Sequence, residues 1–182
     1  MKKRVEKIDS KNIYIFDEVL SLNEIDAFYE YVNELSFTKT EKSTQKDEFP
    51  IFSVDFDPRI FEESFIGVKA RNLLQLVLND KESQYNLFRS YINLSQYGDV
   101  EFPHFDCNKN KNDFTVLYYV NNKWDYRYGG ETIFYQGKDS RISISPKPGR
   151  FVVFPGNIEH TGGVPTRICK QSRLSLALKF NI

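Results

Sequence analysis

Histidine occurs only twice in the 182 residues, at positions 104 and 160. The first stands in the run Phe102, Pro103, His104, Phe105, Asp106. In an extended strand, residues two apart point to the same face, so His104 and Asp106 present an imidazole and a carboxylate side by side. The second, His160, follows Phe154, Pro155 and Gly156 and precedes Thr161, Gly162 and Gly163. Two imidazoles and one carboxylate form the facial triad of non-haem Fe(II) sites, which leaves coordination positions open for other ligands. A lone His-x-Asp is more often a satisfied histidine beside a surface acid. The residues around both histidines shift that balance.

Two further stretches carry polar groups on one face of an alternating pattern. In 173–180, period two places Arg173, Ser175 and Ala177 on one side and Leu174, Leu176, Leu178 and Phe180 on the other. Arg173 offers a planar guanidinium fork that matches a carboxylate bidentately, and Ser175 adds a hydroxyl donor. In 86–97, one face carries Phe88, Ile92 and Leu94, and the other carries Arg89, Tyr91, Asn93, Ser95 and Tyr97. The apolar face is expected to pack on helices. The polar face is expected to line the substrate pocket, with Arg89, Tyr91 and Asn93 as its contacts.

These stretches need a frame. Residues 12–19 alternate weakly and read as a first strand. Ser21 and Glu24 form a capping-box pattern that opens a helix bearing Leu22, Ile25, Phe28, Tyr29, Val32 and Leu35 at helical spacing. Residues 41–48 read as a charged, solvated connector. A second helix is expected over 62–78, its stripe of Phe65, Val68, Leu73, Leu76 and Val77 packed on a sheet. From residue 85 the period changes to two. Strands are expected at 114–120, 131–135, 141–145, 150–154 and 173–180, with polar connectors at 107–113 and 121–128 and turns at 146–149 and 155–156. Helices followed by many short strands suggest an α+β, mainly β fold, a jelly roll with the N-terminal helices packed on one sheet. In such a fold a metal site sits where strand ends and loops converge.

The balance of 25 Lys+Arg against 25 Asp+Glu gives no field to hold a polyanion, so no nucleic-acid partner is expected. No apolar run is long enough to span a bilayer, and no signal-peptide core follows the basic N-terminus. Cys107 and Cys169 make no disulfide framework. A cytoplasmic protein with free thiols is expected, in a compartment where reduced iron persists. One domain over 1–182 fits the length, with 1–84 as supporting helices and strands and 85–182 as the core.

Four stretches together resemble the Fe(II)- and 2-oxoglutarate-dependent dioxygenases, in their prolyl 4-hydroxylase-like branch. They are Tyr97-Gly98 leading to His104 and Asp106; Leu117 to Asp125 with Gly129-Gly130 behind it; Pro146 to Phe154 leading to His160; and Arg173 to Ser175. Their joint order and spacing carry the resemblance, from about residue 85 to the C-terminus. The resemblance implies a double-stranded β-helix. It implies that His104, Asp106 and His160 bind Fe(II), and that Arg173 pairs with the distal carboxylate of the cosubstrate 2-oxoglutarate. It places Tyr119 on the same carboxylate, Leu117 on the cosubstrate methylenes and Tyr97 in the pocket. The basic residue comes thirteen positions after His160, against about ten in the family. Arg167 comes after seven, but it lies beside Pro165 in a polar, Gly-rich stretch that reads as a lengthened loop, so Arg173 is preferred. Trp124 is equally a packing residue or a pocket residue. Cys107 and Glu159 point away from the metal positions.

The implied activity is hydroxylation of an unactivated C–H bond with O2, releasing succinate and CO2, on a small polar molecule or a peptide residue. The connectors 107–112 and 121–128 are expected to close over that substrate. The alternative is a catalytically degenerate, cupin-like metal-binding jelly roll, against which Arg173, Ser175 and Tyr119 speak. A cupin-type isomerase would normally need a third histidine. A halogenase lacks the carboxylate that Asp106 supplies here. The sequence names neither the substrate nor the oligomeric state.

Overall fold

The computed structural model describes residues 1–79 and 85–181. Its larger sheet takes the strands in the order β1 (Lys2–Ile8), β2 (Lys11–Asp17), β9 (Phe151–Pro155), β6 (Phe114–Tyr119), β11 (Arg173–Asn181), β5 (Asn86–Ser95), β4 (Ile51–Phe56) and β3 (Thr38–Glu41). A smaller sheet has the order β10 (His160–Gly162), β7 (Thr132–Gln136) and β8 (Asp139–Ile144). All the pairings in both sheets are antiparallel. The fold is mainly β, a jelly roll with helices on one side.

The larger sheet separates two apolar layers. On its outer face, Val116, Tyr118, Leu174, Leu176, Leu178 and Phe180 pack with Ile25, Phe28 and Val32 of α1 (Leu22–Asn33) and Ile66, Ala70, Leu73 and Leu74 of α3 (Phe65–Leu78). On its inner face, Ile13, Ile15, Leu117, Tyr119, Val152 and Phe154 meet Phe134 and Ile144 of the smaller sheet. Strand alternation produces this division: Leu174, Leu176 and Leu178 face the helices, while Arg173, Ser175 and Ala177 face the space between the sheets.

The Ser21 capping box forms as the sequence indicates, with Ser21 Oγ accepting from the Glu24 amide and Glu24 accepting from the Ser21 amide at 2.7 Å. The second helix starts later than residue 62: Ser64 caps α3, and Asp57 caps a separate short turn, α2 (Pro58–Phe61). Four strands, β1 to β4, come from the N-terminal 84 residues and extend both edges of the larger sheet. That region therefore builds the sheet as well as supporting it. Strand β1 escapes a hydrophobic-period reading because it is an edge strand of mostly exposed charged residues, the composition that keeps an edge from pairing with another chain. It turns into β2 through Asp9 and Ser10, both at positive φ, the backbone of a two-residue hairpin turn.

One expected face is corrected by a bulge. The register of β11 on β5 shifts between Lys179 and Phe180, so that Lys179 opposes Arg89 and Phe180 opposes Leu87. Leu87 is therefore the buried residue, at 3% exposure, and Phe88 turns outward at 40%. Ile92 and Leu94 keep their places against the helix layer. No helix among the described residues is long and apolar enough to cross a membrane.

Candidate active site

His104 precedes β6 in an extended segment, and His160 opens β10. The two exchange backbone hydrogen bonds as an isolated antiparallel bridge, each amide donating to the other's carbonyl at 2.9 Å. That bridge sets the rings 4.6 Å apart between centroids. Asp106 is brought to them by a second backbone contact, its amide donating to the Gly156 carbonyl at 2.8 Å. A side chain at position 156 would crowd this approach, since its Cβ would lie 3.2 Å from both Asp106 Cβ and Cys107 Sγ.

The imidazole orientations follow from their outer nitrogens. His104 Nδ1 donates to the Phe102 carbonyl at 3.0 Å and His160 Nδ1 to the Ile158 carbonyl at 2.9 Å. A carbonyl only accepts, so each Nδ1 carries a proton and, in the neutral ring, the lone pair is on Nε2. Those lone pairs face Asp106: His104 Nε2 is 3.6 Å from Oδ1, and His160 Nε2 is 3.5 Å from Oδ2. All three ligand atoms lie within 4.8 Å of one another. Thr115 Oγ1 donates to Asp106 Oδ2 at 2.5 Å. Lys179 Nζ is 2.8 Å from Oδ1, near enough for an ion pair, but without hydrogen-bond alignment, so this buried oxygen lacks an aligned donor. Two neutral imidazoles and a buried carboxylate with an unfilled oxygen fit a divalent cation, and Fe(II) in particular.

Electrostatics agree with ligation. Burial alone would raise the Asp106 carboxyl, but His160, His104 and Lys179 outweigh it and hold the acid well below the usual carboxylate range. Burial pushes the His160 imidazole down to about 4, despite the attraction of Asp106, so it stays neutral at physiological pH. Burial also pushes His104 down, but the adjacent Asp106 carboxylate outweighs it, and the net shift is upward.

From the triad a narrow cavity of about 50 Å³ runs between the sheets past Thr115, Leu117, Thr132, Phe154 and Ser175 to Arg173. Arg173 is 1% exposed. Its Nε donates to the Gly130 carbonyl at 2.7 Å, Nη1 to Ser175 Oγ at 3.0 Å and Nη2 to Thr132 Oγ1 at 3.2 Å. A guanidinium has five N–H groups, so two remain for a ligand at the cavity's end. Gly130, at φ +77, gives Arg173 room, since a Cβ there would stand 2.9 Å from Arg173 Cδ. Trp124 closes the back of this corner, donating from its indole to the Gly129 carbonyl at 3.1 Å. Arg167 is exposed in the loop before β11.

Tyr119 lies beside this arginine, its ring centroid 5.4 Å from the guanidinium carbon. Its hydroxyl is engaged elsewhere, 2.8 Å from Thr132 Oγ1 and 2.9 Å from the Ile144 carbonyl. It steadies Thr132 and does not line the cavity. Tyr97 is not brought to the site at all, being 63% exposed. Strand β5 ends at Ser95, and Gln96 donates its amide to Asp99 in a turn, so the alternation that would aim Tyr97 inward stops two residues too soon.

A second cavity, of about 110 Å³, opens on the other side of His104. Arg89, Tyr91 and Asn93 line it, as their face of β5 predicts. The guanidinium of Arg89 is not free there: it grips Glu41 at 2.6 and 3.2 Å and stacks 3.9 Å over the Tyr91 ring. The wall facing β5 is the segment 41–49, of which 41–48 is expected to be a solvated connector. Instead Asp47 is buried and accepts from the Ser43 and Phe49 amides at 3.1 and 2.8 Å, folding the segment over the cavity. Ser43 Oγ in turn accepts from the Phe102 amide at 3.0 Å, tying it to the strand that carries His104. The connectors at 107–112 and 121–128 do not line this cavity. The first flanks a neighbouring surface cleft with Phe88, His104 and Asp106. The second is anchored at the Arg173 end, where Asn121 donates to the Ser172 carbonyl at 2.9 Å. Sequence reasoning also missed Lys179 and Glu101. Lys179 extends the inward face of Arg173, Ser175 and Ala177, a signal that period two contains.

A family model described as the 2OG-Fe(II) oxygenase superfamily matches residues 92–181. Those residues contain the whole triad and Arg173. The chain belongs to the 2OG-Fe(II) oxygenase superfamily. Fe(II), 2-oxoglutarate and O2 are accordingly its metal and cosubstrates, and the triad geometry fits the metal. Among solved structures, this oxygenase is similar to the viral collagen prolyl hydroxylase of Paramecium Bursaria Chlorella virus-1, at 19% identity and TM-score 0.66, covering 100% of this chain and 96% of that one. It is similar to a Pseudomonas putida prolyl-4-hydroxylase, at 16% identity and TM-score 0.66, covering 93% and 92%. It is also similar to SnoN, an α-ketoglutarate-dependent epimerase from nogalamycin biosynthesis, at 12% identity and TM-score 0.68, covering 93% and 78%. These likenesses show a fold shared with prolyl hydroxylases. No match to a protein of curated function is found.

Proposed function

We propose that this oxygenase hydroxylates an unactivated C–H bond of a small polar molecule or a peptide residue. The balanced reaction consumes one 2-oxoglutarate and one O2 and yields the alcohol, succinate and CO2. The observation that carries this reading is a single cavity with three converging metal donors at one end and a buried guanidinium with two spare N–H groups at the other.

The bound iron supplies activation of O2 coupled to decarboxylation of the cosubstrate. The chain supplies everything else. His104, Asp106 and His160 hold the metal, with tautomers fixed by the Phe102 and Ile158 carbonyls. Arg173 pairs with the distal carboxylate of 2-oxoglutarate, its fork held at the correct angle by Gly130, Ser175 and Thr132. Leu117 and Phe154 pack on the methylenes between. Leu117, Phe154 and Ala177 make the apolar part of the cavity wall, which helps to keep water from the reacting centre. The substrate enters from the opposite side, over Arg89, Tyr91 and Asn93. Two cysteines without a disulfide partner support a reducing, cytoplasmic setting.

The test is 2-oxoglutarate consumption by purified protein with Fe(II) in air. Slow succinate release is expected without substrate and faster release with it. Protein that binds Fe(II) and 2-oxoglutarate but never turns over would favour a degenerate binding module.

A further inference from the structure

Lys179 is the largest unexplained feature beside the triad. Its ammonium is almost fully buried, 2.8 Å from Asp106 Oδ1 and 5.3 Å from the Tyr91 ring centroid. A dication held by the same carboxylate repels an ammonium there, and it takes over the charge that Lys179 was compensating. The lysine side chain already lines the substrate cavity, so that cavity is where it turns. A buried ammonium without an anion is costly, and two of the anions already in the cavity are committed. Glu41 is gripped by Arg89 and Asp47 by two backbone amides.

Glu101 poses the converse problem. It lies half-buried between the substrate cavity and the cosubstrate channel, with Oε1 accepting from Ser95 Oγ at 2.6 Å, and Arg173 is its main compensating charge. When a cosubstrate carboxylate takes Arg173, Glu101 loses much of that compensation. A third loose end is Asn93 Oδ1, a buried acceptor with no donor. The filled site therefore contains an uncompensated cation, an uncompensated anion and an acceptor, all lining one small cavity.

The net charge says what can enter. The residues lining the two cavities carry four acids, Glu41, Asp47, Glu101 and Asp106, against four bases, Lys42, Arg89, Arg173 and Lys179. Fe(II) and the cosubstrate dianion cancel, so the loaded site is neutral. A neutral site accepts a neutral substrate, and only a dipolar one satisfies both loose charges. We infer that the substrate is a free α-amino acid, its carboxylate on Lys179 and its ammonium on Glu101 and Asn93 Oδ1. This rests on the oxygenase reading and narrows its substrate class. At about 110 Å³ the cavity is small beside ordinary ligand sites, which suits a molecule of that size.

The experiment is anaerobic calorimetry on full-length protein loaded with Fe(II) and 2-oxoglutarate, titrated with the proteinogenic L-amino acids. Cosubstrate binding is measured first, and its absence sinks the oxygenase reading and this inference with it. With cosubstrate bound, at least one amino acid is expected to bind. Its carboxamide and its N-acetyl derivative should each bind about 10- to 100-fold more weakly, the cost of losing a charged hydrogen-bond partner. Lys179→Met should erase the difference between acid and carboxamide, and Lys179→Arg should keep most of it. The acid and carboxamide pair on the parent protein tests the idea even if the variants do not fold. If the loaded parent binds no amino acid, or acid and carboxamide bind alike, or the difference survives in Lys179→Met, the inference is wrong and the oxygenase reading stands. An N-acetyl derivative that binds as well as the free amino acid also overturns it, in favour of a peptide C-terminus.

Discussion

Replacing Arg173 with Ala isolates the cosubstrate end of the site. The wild-type guanidinium is 1% exposed and commits three N–H groups to Gly130, Ser175 and Thr132, leaving two for the distal carboxylate. Removing it leaves that carboxylate buried without a partner, which costs roughly 3–5 kcal/mol. At 1.4 kcal/mol per tenfold, the dissociation constant for 2-oxoglutarate should rise by roughly 10²- to 4 × 10³-fold. The same change strands the Gly130 carbonyl, so about 1–3 kcal/mol of stability should go with it. Arg173→Lys keeps the charge but loses the fork, and should fall between parent and Ala. Arg167→Ala, in an exposed loop, should match the parent in both respects. Anaerobic calorimetry of 2-oxoglutarate on Fe(II)-loaded protein reads the affinity, and thermal melting reads the stability. The reasoning fails if Arg173→Ala binds within about threefold of the parent, which is near 0.6 kcal/mol, or if Arg167→Ala is the variant that loses the cosubstrate.

Three further outcomes are expected. Metal affinity of the apo protein should fall about tenfold per pH unit below the raised pKa of His104, because that imidazole must lose its proton to ligate; His160, neutral down to about 4, should add no second proton above pH 5, so a potentiometric titration should count one proton released per metal. Gly130→Ala should lower the melting temperature and weaken 2-oxoglutarate binding, because a Cβ at φ +77 is strained and stands 2.9 Å from Arg173 Cδ; unchanged cosubstrate affinity would mean that Arg173 does not depend on this corner. Leu87→Ala should cost about 2–5 kcal/mol in chemical denaturation, while Phe88→Ala, at a half-exposed site, should cost far less; the reverse order would place the β5 bulge wrongly.

The residues of the triad were the most legible part of the sequence. His104 and Asp106 share a strand face by period two, and both histidines of the chain meet in one backbone bridge. Arg173 was separable from Arg167 because alternation with four buried apolar residues sets its direction, whereas nothing periodic surrounds Arg167. Alternation misleads where the backbone departs from it. The bulge at Lys179 and Phe180 exchanged Leu87 for Phe88, and the turn after Ser95 released Tyr97 to solvent. Strand β1 was hidden by its edge position, which calls for charge where a core strand has apolar residues. The cavity wall at 41–49 was hidden for another reason. Its order comes from Asp47 binding backbone amides and Ser43 binding the Phe102 amide, interactions that leave no hydrophobic period to read.

If O2 reacts at this triad, one of its atoms enters the cosubstrate. Decarboxylation replaces a keto acid with a new carboxylate, and the balanced reaction draws its added oxygen from O2. Mass spectrometry of succinate made under ¹⁸O2 by Fe(II)-loaded protein tests this directly. Succinate carrying one heavy oxygen is expected from the parent, and none formed by Asp106→Ala or His160→Ala. Unlabelled succinate, or labelled succinate from the triad variants at the parent's rate, would contradict it.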